Sequence, residues 1–263
     1  MKKFYYLFKV SLERTVKELY RYKFNTVSNF LIFYVLFMFM FLGVKNFGMS
    51  MGVSPIDMGD NLEGFIIGYF LWTVIMLAYS NIAYSIINDA SRGTLEQLNM
   101  SGISLSQIVI VRSFANLLLD ILFSIILLLF IMKQTGYWLK VDIISVLIPV
   151  FLGIFSILGI GLIFGGLALI FKKIQSLLNI VQYFLIALVA IIPESKIISA
   201  ILPFNYAAGT IFSVMKGGSS FMDFSLLDYG LIVGNSLIYL TLGLIVFNQC
   251  VRIAKNRGLL GQY

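Results

Sequence analysis

The chain alternates long apolar runs with short polar connections. Runs of about 20 apolar residues, the length at which an α-helix crosses the hydrocarbon core of a bilayer, fall near 25–44, 62–87, 108–131, 143–171, 174–192 and 229–251. Six crossings are therefore predicted, and the long fourth run has enough length to tilt or to project beyond the bilayer. The fold class that follows is all-α: a polytopic membrane protein whose body occupies residues 25–263.

Residues 1–24 read differently. Phe8, Leu12, Val16, Leu19 and Tyr20 recur at helical spacing, while Lys9, Glu13, Lys17 and Arg21 form an opposing charged stripe in which Glu13 and Lys17 stand four apart. This pattern predicts an amphipathic helix that lies in the headgroup layer, or packs on the surface of another protein, or does both.

Two connections carry more pattern than a plain turn. In 88–107, Thr94 and Gln97 have capping-box spacing, Gly102 offers a stop, and Ser104 with Gln107 offers a second cap. A short helix from Thr94 follows, with Leu95, Leu98 and Met100 on its apolar edge and Arg92, Glu96 and Gln97 as polar contacts. Such a helix is marginal alone and needs a surface to dock on; a surface helix without a special role is the alternative. The external segment 193–228 is too apolar for a solvated loop. Its runs, too short to span, predict two re-entrant half-helices in the outer leaflet, broken at Pro203 and ended by Gly217 and Gly218.

Composition agrees with the pattern. Of 263 residues 60% are apolar and 12% charged, against roughly 45–50% and 25% in soluble chains. With no histidine and one cysteine, Cys250, a Cys/His zinc cluster, a histidine-based triad and a disulfide framework are excluded. The net charge of +7 would suggest nucleic acid in a soluble protein. Here it sorts by side instead: with the N-terminus inside, 14 of the 19 cations are cytoplasmic. Seven precede the first run; the others are Arg92, Arg112, Lys172, Lys173, Arg252, Lys255 and Arg257. Both termini are thus expected in the cytoplasm of a cell (plasma) membrane protein, with no nucleic-acid partner.

Within the spans, Asn116, Asp120 and Ser124 make one polar stripe on the third. An acid at mid-span must face the bundle or a wet route, so Asn116 and Asp120 either border a translocation path or make interhelical hydrogen bonds, for instance to Asn179 or Gln182. Gly161 and Gly165 form a GxxxG pattern that predicts close helix packing. Phe30, Phe33, Tyr34, Phe37 and Phe41 follow helical spacing and suit packing or lipid contact better than a substrate-lining wall. No G-x-x-x-x-G-K-[ST] sequence occurs, so the chain carries no phosphate-cradling loop and no ATPase site of its own.

Arg92-Gly93-Thr94-Leu95-Glu96-Gln97-Leu98, followed by Ser101-Gly102-Ile103-Ser104, resembles the loop between the second and third spans of type 2 ABC exporter permeases, with Ala90-Ser91-Arg92 departing from the charged pair that often precedes the glycine. Leu202-Pro203-Phe204-Asn205-Tyr206 is similar to the Asn-Pro-Leu-Thr-Tyr segment of the same family. The resemblance implies that Arg92 to Leu98 is a coupling helix docking on a separate ABC ATPase subunit, which binds ATP and Mg, and that Pro203, Phe204, Asn205 and Tyr206 belong to an external gate. Packing that merely seals a dimer is the alternative for that gate. It further implies a second permease copy or homologue, contact with membrane lipids, and export of an amphipathic or hydrophobic cargo such as a drug, an antimicrobial peptide or a lipid-linked molecule. Lipid-linked glycan export by the same mechanism and an ion-coupled secondary transporter using Asp120 are the competing functions. A membrane-embedded lipid-modifying enzyme, which needs clustered bases or nucleophiles, fits least.

Overall fold

The computed structural model describes residues 2–51, 55–171, 174–193 and 195–258. Among them every regular element is helical: α1 (Lys2–Arg21), α2 (Lys23–Ser50), α3 (Pro55–Ser91), α4 (Thr94–Asn99), α5 (Leu105–Thr135), α6 (Ile143–Ile170), α7 (Gln175–Ala190), α8 (Lys196–Ile201), α9 (Asn205–Phe212) and α10 (Leu226–Asn256). A π turn at Ser213–Gly217 and a 3-10 turn at Phe221–Asp223 complete them. Lys172 and Lys173, which enter the charge pattern, lie outside the described residues, as do Met1, 52–54, Glu194 and 259–263.

Five helices, α2, α3, α5, α6 and α10, are long and apolar enough to cross a membrane. The fifth expected crossing falls on α7, which is apolar but only 16 residues long, a rise of roughly 24 Å against a hydrocarbon core of about 30 Å. Helix boundaries are set by local chemistry. The Ser104 hydroxyl accepts the Gln107 amide at 3.3 Å to cap α5, Asp142 caps α6 through the Ile144 amide at 3.3 Å, and Ser225 and Asp228 close a capping box on α10. The Ser104 cap is the one its spacing predicts.

The tightest seam joins α6 and α10, because both backbones approach where glycine removes the side chain. A Cβ at Gly159 would stand 2.2 Å from the Tyr239 carbonyl oxygen, and one at Gly243 would stand 2.3 Å from that of Gly159. Gly166 meets Cys250, and the Ser236 hydroxyl donates to the Gly153 carbonyl at 3.1 Å. Contacts that advance together along both chains make the two helices parallel. Gly161 and Gly165 face Ile82 and Ile86 of α3, so the GxxxG pattern packs on α3 while its neighbours pack on α10. Without water to expel, such close backbone contact is what holds helices together in lipid.

α3 runs antiparallel to α5 and to α7, as Asn81 with Asp120, Asp89 with Arg112, Ser80 with Gln182 and Tyr84 with Asn179 show. The aromatic stripe of α2 is a packing face: Phe33 meets Trp72 and Phe123, Tyr34 meets Phe130, and Phe37 meets Tyr69. Tyr69 also donates to the Phe33 carbonyl at 2.6 Å. The opposite side of α2, with Leu31, Val35 and Phe39, is exposed.

α1 lies along α5. Phe8 meets the Phe114 ring, Ser11 is buried, and the Thr15 hydroxyl donates to Asn116 at 2.7 Å. The covered face therefore runs through Ser11 and Thr15, and leaves Val16, Leu19 and Tyr20 of the expected apolar stripe exposed. Glu13 pairs with both Lys17 and Lys9 at 3.9 Å.

Candidate functional site

The loop between α3 and α5 is built on one buried ion pair. Asp89 sits in the last turns of α3 and Arg112 two turns into α5, and their side chains are only 11% and 16% exposed. The Arg112 guanidinium donates to the Asp89 carboxylate. Gly93, at φ +67°, then reverses the chain, a left-handed conformation that glycine adopts without steric cost. α4 starts at the next residue.

The Thr94 hydroxyl donates to the Asp89 carbonyl at 3.0 Å and lies 3.4 Å from its carboxylate. This corrects the capping-box expectation: Gly93 is the N-cap, no side chain caps it, and Thr94 is the first helical residue. Thr94 lies inside α4, one residue past the N-cap, and its hydroxyl turns back to the last turns of α3. α4 ends at Asn99, and Gly102 turns the chain towards α5 at φ +74°.

α4 consequently has an anchored face and a free one. Leu95 is 1% exposed within the main core and Leu98 packs half-buried against that core. Arg92, Glu96, Gln97 and Met100 are exposed, and Met100 at 80% is an uncovered apolar side chain. Arg14 of α1 reaches the same place: it lines a cavity of about 380 Å³ with Asp89, Arg92, Thr94, Gln97, Leu98 and Arg112.

Several polar groups inside the bundle are partnered across helices. Asn81 donates to Asp120, the Gln182 amide donates to Ser80 at 2.8 Å, and Tyr84 donates to Asn179. Asp120 thus pairs with α3, not with the Asn179 or Gln182 that spacing on the chain suggested. Asn116 accepts from Thr15 of α1 at 2.7 Å, and Ser124 bonds back to the Asp120 carbonyl within α5.

On the other side of the bundle, α8 and α9 are two short helices with the break at Pro203 between them. Phe204 adopts φ +64° and is buried, unusual for an aromatic residue. Its ring and Ala207 fill the space left by Gly153 of α6. Asn205 is fully buried. It donates to the Leu188 and Ile191 carbonyls at 2.6 and 2.7 Å and accepts from Ser199 at 2.7 Å. Asn235 of α10 donates to the Ala200 carbonyl at 2.7 Å. This ties α7, α8, α9 and α10 into one corner, and Tyr206 adds a hydrogen bond to Asp228. Burial, and then the carboxylate it serves, push the Tyr206 phenol up to about 12.

Spanning helices, interhelical polar bonds and irregular segments gathered at the bundle's ends define a multi-pass helical membrane protein. The profile of the ABC-2 family transporter proteins matches residues 57–248, from the first turn of α3 nearly to the end of α10. The chain belongs to this family, the membrane part of ABC transporters, which lacks an ATPase site and normally works with a separate ATPase subunit. No curated protein matches the chain.

Proposed function

We propose that the chain is the permease subunit of an ATP-driven exporter in the plasma membrane, with both termini cytoplasmic and α4 as the element on which a separate ATPase docks. The observation that carries this reading is the two-faced mounting of α4. Asp89 and Arg112 tie its base to the ends of two spanning helices, while Arg92, Glu96, Gln97 and Met100 remain outward. A partner pressing on that face moves α3 and α5 together, and two such arrangements of the bundle are what an alternating-access cycle needs.

The antiparallel run of α7 against α3 supports a sixth crossing, extended by the apolar Ile191 and Ile192 that follow it. The apolar composition of α8 and α9 supports their insertion into the outer leaflet. There the corner of Pro203, Phe204, Asn205 and Tyr206 closes the external end. The hydrogen bonds of Asn116 to Thr15 and of Asp120 to Asn81 favour an interhelical role for both over a place on the translocation path. They count equally against ion coupling through Asp120. A second copy or homologue completes the translocation route, ATP and Mg belong to the ATPase, and the cargo class is amphipathic or hydrophobic, delivered from the inner leaflet.

The test is the energy source. Proteoliposomes holding the permease with a co-expressed ATPase are expected to hydrolyse ATP faster when the right amphipathic cargo, drug, peptide or lipid-linked glycan, is added. Cargo movement driven by a proton or sodium gradient in the absence of ATP overturns the reading.

A further inference from the structure

The cavity beside α4 gathers cationic side chains that are distant in the chain. Three arginines from three elements converge on it: Arg14 from α1, Arg92 from the turn before α4, and Arg112 from α5. Their states differ. Arg112 is neutralised by Asp89 at the base. Arg14 gives its Nε to Glu18 at 2.9 Å, which leaves its two terminal nitrogens to donate elsewhere. The Arg92 side chain makes no ion pair among the described residues. Thr94 and Gln97 add a hydroxyl and an amide to the wall.

We propose that this cavity binds an anionic phosphate group, presented by a membrane lipid headgroup and held between Arg14 and Arg92. The guanidinium fork suits phosphate oxygens, and the bound Asp89 carboxylate cannot repel the ligand as a free acid would, because Arg112 already compensates it. A lipid is favoured over a soluble donor by the wall that α1 supplies. That helix bears cations along its length and exposes Tyr5, Tyr6, Val10 and Tyr20, the makeup of a helix lying at headgroup depth. Arg14 projects from it into the cavity, so a headgroup can enter sideways from the lipid layer while its acyl chains stay in the leaflet. The inference rests on the cytoplasmic placement of α1 proposed above but not on ATPase docking.

The test uses the purified full-length chain without ATPase, in a zwitterionic detergent, titrated with dihexanoyl phosphatidylglycerol, dihexanoyl phosphatidylcholine and inorganic phosphate while binding is read by native mass spectrometry and thermal shift. Phosphatidylglycerol is expected to bind more tightly than phosphatidylcholine, whose choline cancels the phosphate charge. Its affinity should fall roughly tenfold in the double variant R14Q/R92Q and recover in part in R14K/R92K, which keeps the charge without the fork and also controls for misfolding. If inorganic phosphate competes at the same concentration, the phosphate chemistry stands and the source is soluble. Phosphatidylglycerol binding that is unchanged in R14Q/R92Q, or no binding of any phosphate probe, overturns the proposal. Binding of a Glu-rich peptide through the two arginines, with no phosphate probe bound, also overturns it and makes the cavity a protein-docking site. Since no ATPase is present, failure here leaves the docking role of α4 intact, and failure of docking leaves this site intact.

Discussion

Asp89 and Arg112, 23 residues apart in the chain, form a largely buried ion pair that joins the end of α3 to the start of α5 directly behind α4. Removing one partner leaves the other charge uncompensated in a partly solvated cavity, at a cost on the order of 1–3 kcal/mol. Asp89→Ala and Arg112→Ala should each lower the melting temperature of the purified chain clearly, and the double variant should be less destabilised than the two single effects summed. Strict additivity in this double-mutant cycle would show that the pair does not brace the loop.

The α6–α10 seam makes a sharper steric prediction. Gly159→Ala puts a methyl group 2.2 Å from the Tyr239 carbonyl oxygen, so the helices must separate, at a cost on the order of 1–3 kcal/mol for an overpacked interior. Gly234→Ala on the same α10 meets nothing within 4 Å and should be close to neutral. Equal melting temperatures for both variants would contradict the seam.

Asn81 and Asp120 give a prediction about the mid-bundle acid. Asp120→Leu strands the Asn81 amide and should destabilise by about 1–3 kcal/mol. Asp120→Asn keeps an acceptor and should retain both fold and ATP-driven export. Loss of export by Asp120→Asn with normal stability would restore the acid to the translocation path.

Tyr206 ties α9 to Asp228, and its phenol is pushed up to about 12 from an ordinary value near 10. Between these values an unfolded chain gives up the proton that the folded chain keeps. The stability contributed by the protonated phenol is therefore whole below pH 10 and drains away as the pH rises towards 12. Tyr206→Phe should melt below the wild type at pH 8, with the difference shrinking steadily above pH 10. A constant difference from pH 8 to 12 would show that the phenol proton is not what links the helices.

Periodicity made the long helices legible: the apolar runs at 62–87, 108–131, 143–171 and 229–251 lie inside or upon α3, α5, α6 and α10. The run at 174–192 matched a helix shorter than a full crossing, because apolar residues continue past Ala190 where helical geometry stops. Local signals such as the Ser104 cap, the Pro203 break and the turn at Gly218 were readable from neighbouring residues. Partners were not. Asp89 meets Arg112 and Asp120 meets Asn81 because α3 packs on α5, and neither pairing leaves a mark at short range in the chain. The packing of α1 has a related cause: Ser11 and Thr15 are covered because α5 offers Thr15 the Asn116 side chain, a partner about a hundred residues away in the chain.

The role of α4 can be measured directly. Glu96 and Met100 are exposed and outside the core, so Glu96→Arg combined with Met100→Glu should leave the melting temperature close to that of the wild type, as expected for surface changes away from buried contacts. When the permease is affinity-purified with its co-expressed ATPase, the wild type should retain the ATPase and its cargo-stimulated hydrolysis, and the double variant should lose both. Undiminished co-purification and hydrolysis in the variant would contradict the account.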